Sequence, residues 1–75
     1  MKPTLDPAGL SDVELAAAAR EHQRQGDAYQ RMAAADESPE RAEATRKLAA
    51  RHQSTADACR KEARRRKRAE RRAYR

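Results

Sequence analysis

SPERAEATRKLAARHQSTADACRKEARRRKRAERRAYR, residues 38–75, decides the fold. Ser38 is a helix N-cap, and Pro39 takes the first helical position, where its missing N–H is harmless. Glu40 follows in the first turn, at the positive end of the helix dipole. No Gly or Pro follows Pro39, so nothing in the stretch interrupts a helix. The pattern predicts one long helix from residue 39 to about residue 70. Its first two-thirds pack against an earlier helix and its last third does not.

The earlier helix announces itself just as clearly. In Leu10-Ser11-Asp12-Val13-Glu14-Leu15, Ser11 is an N-cap and Glu14, three residues on, completes a capping box. Leu10 and Leu15 occupy the two positions of a hydrophobic staple, and Asp12 and Glu14 suit the positive helix end. Before this signal, Pro3 and Pro7 discourage helix, and Asp6-Pro7-Ala8-Gly9 reads as a turn in a flexible leader over residues 1–10. The first helix runs from about residue 11 to residue 35. Only Asp36-Glu37-Ser38 connects it to the second, so the two are antiparallel neighbours.

Each helix carries a thin apolar seam. The first reads Leu15, Ala18, His22, Gln25, Tyr29, Met32, with Ala19, Gly26 and Ala33 alongside. The second reads Ala42, Thr45, Leu48 with Ala49, His52, Ala56, Cys59, Ala63. Gly26, costly inside a helix by about 1 kcal/mol relative to Ala, is read as a point of close helix approach. With the turn centred on Glu37, residue i lies level with about residue 74−i, because both helices rise equally. Tyr29 then meets Thr45, Gly26 meets Leu48, His22 meets His52, Ala18 meets Ala56 and Leu15 meets Cys59. Four i,i+4 pairs fall on exposed faces: Asp27–Arg31, Glu43–Lys47, Asp57–Lys61 and Glu62–Arg66.

Composition limits what this hairpin can be. In 75 residues there are 18 Ala, two Tyr and no Phe or Trp, so large apolar side chains are scarce. At about 25 cal/mol per Å² buried, such a core barely offsets the entropy of ordering the chain. Two routes to stability stay open: close Ala packing within one hairpin, or a homodimer in which two hairpins pair into a four-helix bundle. The single Cys59 excludes an internal disulfide and fits a reducing, cytoplasmic setting. No apolar run approaches the roughly 20 residues that span a bilayer, so no membrane association is expected.

Charge is concentrated at one end. Residues 1–59 hold eight Lys/Arg against ten Asp/Glu, a net of −2, and residues 60–75 hold ten against two, a net of +8. Ser11 falls level with Ala63, so the chain divides into a hairpin over 11–63 and a basic projecting end over 64–75. Lys and Arg are read as lying on all sides of that end, leaving it no packing face. The expected function is a small non-catalytic scaffold that contacts nucleic acid through its phosphates. Arg64, Arg65, Arg66, Lys67, Arg68, Arg71 and Arg72 are the expected contacts, with Tyr74 as a stacking group for an exposed base. The alternative is a protein-interaction or assembly module whose tail docks an acidic protein partner or only aids solubility.

No catalytic dyad, Gly-rich phosphate loop or cofactor motif accompanies these features, and no enzymatic activity or cofactor is expected. His22 and His52 make only two ligands, and Cys59 lies about 10.5 Å further along the helix than His52. They are read as packing residues rather than a metal site.

Overall fold

The computed structural model describes residues 6–74, so the leader's first half and Arg75 fall outside it. The described residues form an all-α antiparallel hairpin. A short 3-10 turn at Pro7–Gly9 precedes helix α1, Asp12–Ala35, and helix α2, Pro39–Ala73. α2 therefore continues three residues beyond the expected end.

Both helix starts form as their sequences dictate. The Glu14 N–H donates to Ser11 Oγ at 3.1 Å, and the Ser11 N–H donates to Glu14 Oε1 at 2.9 Å. That backbone donor, with the Ser11 hydroxyl second, holds the Glu14 carboxyl below its ordinary value. Leu10 packs beside Leu15, closing the staple. At α2, the Arg41 N–H reaches Ser38 Oγ at a longer 3.4 Å. The connector is held by Asp36, whose carboxylate accepts the Ser38 N–H at 2.9 Å and the Arg41 guanidinium at 3.3 Å. These two donors, the Ser38 N–H foremost, depress the Asp36 carboxyl.

The register is close to the expected one. His22 and His52 meet, and Leu15 and Cys59 share one buried cluster. Within the expected seams, however, the small residues are buried and Met32 and Leu48 are not. Ala19, Gly26 and Ala33 in α1 and Ala42, Ala49 and Ala56 in α2 are buried along the midline, each set recurring every seventh residue, and Leu15 and Cys59 are buried at its open end. Met32 is 58% exposed and Leu48 39% exposed. The reason is steric, because small residues on the midline let the two backbones approach and leave no room for Leu or Met between them. A Cβ on Gly26 would stand 3.0 Å from Gln53 Cγ and 3.4 Å from the Ala49 carbonyl oxygen. Gly26 thus permits the close approach, against Ala49 and Gln53 rather than Leu48.

Among the described residues, larger apolar burial is confined to the open end of the hairpin. Leu15, 1% exposed, packs with Ala19 and Cys59, flanked by Leu10, Ala18 and Ala63. Burying Leu15 contributes about 1.5–3 kcal/mol. Of the expected exposed pairs, Glu62–Arg66 forms at 3.6 Å. Asp57 instead pairs with Arg60 at 3.1 Å, and Asp27 accepts from Gln23. No described helix is long and apolar enough to cross a membrane.

Candidate nucleic-acid interface

The basic residues begin where α1 ends its cover, and Arg66 turns back toward it. Its guanidinium donates to Asp12 Oδ1 at 3.0 Å and to the Pro7 and Ala8 carbonyls at 3.3 Å each. The side chain is only 23% exposed. Arg66 thus joins three segments: the 3-10 turn, the first turn of α1 and the last turns of α2. Glu62 stands beside it and is gripped by Arg65 at 2.6 and 3.1 Å. Hydrogen bonding from Arg65 is the main cause that keeps the Glu62 carboxyl below its usual value.

This anchoring overturns the expectation that the basic end has no packing face. At about 100° per residue, Lys61, Arg64, Arg65, Lys67, Arg68, Arg71 and Arg72 fall within one arc of about 160°. Glu62, Ala63, Arg66, Ala69, Glu70 and Ala73 share the opposite side, on which Arg66 meets α1 and the 3-10 turn. The seam itself continues past the hairpin's expected limit, since Ala56, Cys59, Ala63 and Arg66 keep the three-four spacing of a packed helix. That spacing, together with Asp12 near the same level, was the signal that could have assigned Arg66 to the fold.

The seven sequence-predicted contacts therefore divide. Arg66 is tied to the N-terminal segments and Arg65 is paired with Glu62. Arg64, Lys67, Arg68, Arg71 and Arg72 are exposed, and among the described residues none has a carboxylate partner. Arg64, Lys67, Arg68 and Arg71 line one shallow hollow, and Arg65, Arg68, Arg71 and Arg72 line another. Concentrated like charge of this sort attracts a polyanion and repels itself, and Glu62 and Glu70 on the opposite side lessen that repulsion. Tyr74, just past the last helical residue, is 91% exposed.

Two other features lie outside this arc. His22 Nδ1 and His52 Nδ1 are 2.9 Å apart, and Tyr29 stacks on His52 with ring centroids 5.5 Å apart. One imidazole donates and the other accepts, so a single proton lies between them. Among the described residues no three His, Cys, Asp or Glu side chains gather as metal ligands. Cys59 is fully buried against Leu15 and Ala19, at the floor of a groove of about 280 Å³ that is rimmed by Asp12, Arg60, Arg66 and Lys67.

No protein-family model matches the chain, and no curated protein or solved structure is similar to it.

Proposed function

We propose that the chain is a small non-catalytic scaffold whose basic helix end contacts the phosphate backbone of nucleic acid in the cytoplasm. The observation that carries this reading is the single cationic arc, in which five Lys and Arg side chains along an exposed helix face have no carboxylate partner among the described residues. The rest of the chain adds no comparable attraction, since residues 1–59 carry a net charge of −2. Neutralising four or five phosphates of a DNA duplex gives a log–log salt slope of about −3.6 to −4.5.

The decisive comparison sets two variants of the full chain side by side. Lys67, Arg68, Arg71 and Arg72 all changed to Gln should abolish binding to a labelled mixed-sequence nucleic acid while leaving the melting temperature near wild type. Arg66→Gln should instead lower the melting temperature by removing the link to Asp12, and leave most of the salt slope intact. A full-length chain that ignores nucleic acid even at low salt refutes the proposal.

A second reading is favoured by a different observation. Met32 and Leu48 are exposed beside the seam, and Val13 is exposed at the start of α1. A protein partner or a second copy of the chain covering Met32 and Leu48 would bind with little dependence on salt, unlike phosphates.

A further inference from the structure

The shape of the cationic arc narrows the nucleic acid, an inference that rests on the phosphate-binding reading above. Three observations bear on it. The arm is helical through Ala73, so its cations sit on a preformed rod rather than a flexible tail. The arc has two edges and a centre: Lys67 and Arg71 lie along one edge, Arg65 and Arg72 along the other, and Arg64 and Arg68 between them. No aromatic residue lies within the arc. Tyr29 is stacked on His52, and Tyr74 follows the last turn.

Each observation discriminates. Proteins that grip single strands set aromatic rings along the groove for successive bases to stack on, and this arc has none. Double-stranded RNA offers a deep, narrow major groove that side chains cannot read. B-form DNA presents a major groove about 12 Å wide, which admits one helix and is bordered on both sides by phosphates. A helix with cations on two edges complements two bordering phosphate rows, and its central arginines face the guanine acceptors on the groove floor. From Lys61 to Arg72 the arc rises about 16.5 Å, enough to follow the groove for about five base pairs. α1 meets the side opposite the arc, at Arg66, while Asp6 and the 3-10 turn stand beside Lys61, Arg65 and Arg68 and leave Arg64, Arg71 and Arg72 open.

We infer that the end of α2 docks in the major groove of B-form DNA, with Lys67 and Arg71 toward one phosphate row and Arg72 toward the other.

Fluorescence anisotropy of the full chain, at one low salt concentration, tests this with three labelled probes of equal length. These are a DNA duplex, one of its single strands and the RNA duplex of the same sequence. The DNA duplex should bind about tenfold more tightly than either other probe. A companion variant, Ala69→Pro, keeps every charge but breaks the helix within the arm. Ala69 lies outside the arc and away from the buried cluster, so the hairpin should keep its melting temperature. Circular dichroism should show loss of the last turns only, and the preference for duplex DNA should fall to within about twofold. Equal binding of all three probes, or tightest binding of the single strand, overturns the groove assignment and leaves the phosphate reading standing. An undiminished duplex preference in Ala69→Pro overturns it as well. Binding to none of the probes overturns both.

Discussion

The position of the small residues makes a prediction that hydrophobicity alone would invert. Leu15 is 1% exposed and Leu48 39% exposed, although both are the same residue on the seam side of a helix. Leu15→Ala removes a fully enclosed side chain and leaves a cavity beside Cys59 and Ala19, a loss of about 3 kcal/mol within the usual range of 2–5. Leu48 is about three-fifths covered and lies on the flank, where water replaces the lost atoms. Leu48→Ala therefore costs about 1 kcal/mol. Ala49, fully buried opposite Gly26, has no space to grow. Ala49→Leu should push the helices apart and cost about 1–3 kcal/mol, although it adds apolar surface. Urea denaturation followed by circular dichroism at 222 nm measures all three, and an added osmolyte keeps the weakest variant folded. Equal losses for Leu15→Ala and Leu48→Ala, or a gain for Ala49→Leu, would refute the small-residue seam. Repeating the wild type and Leu48→Ala across protein concentrations isolates a second copy. If one covers Leu48, the midpoint rises with concentration and the Leu48→Ala loss rises with it.

The two caps should differ, because Ser11 receives its N–H at 3.1 Å within a complete capping box and Ser38 receives its own at 3.4 Å. Ser11→Ala should cost about 1 kcal/mol and Ser38→Ala less, read from the same urea curves. Acid should also weaken the hairpin through Glu14, Asp36 and Glu62, whose folded carboxyls titrate below their unfolded values. Their stabilisation is fully present above the unfolded values of about 4 and disappears as pH falls through the lower folded values. Melting temperature should therefore drop as pH falls below about 4.5. Glu14→Gln, whose amide oxygen can still accept the Ser11 N–H without titrating, should lessen the drop. An identical acid response in both proteins would mean that the capping carboxylate contributes nothing.

The sequence by itself determined where the helices begin, that they lie antiparallel, and roughly which residues face each other. These features depend on local chemistry: a Ser hydroxyl beside unpaired N–H groups, a Pro at the first helical position, a connector too short for any other arrangement. The equal rise of two helices then carries the register from Glu37 to the His22–His52 contact without further information. Which residues of each seam are enclosed required the tertiary structure. The choice between Met32 and Ala33, or Leu48 and Ala49, is set by how closely two backbones can approach, a property of both helices together. The three-four spacing from Ala56 through Cys59 and Ala63 points to Arg66, but its partners needed the fold. Within RRRKR it is one cation among five, and only the return of Pro7, Ala8 and Asp12 beside it supplies the acceptors that hold it.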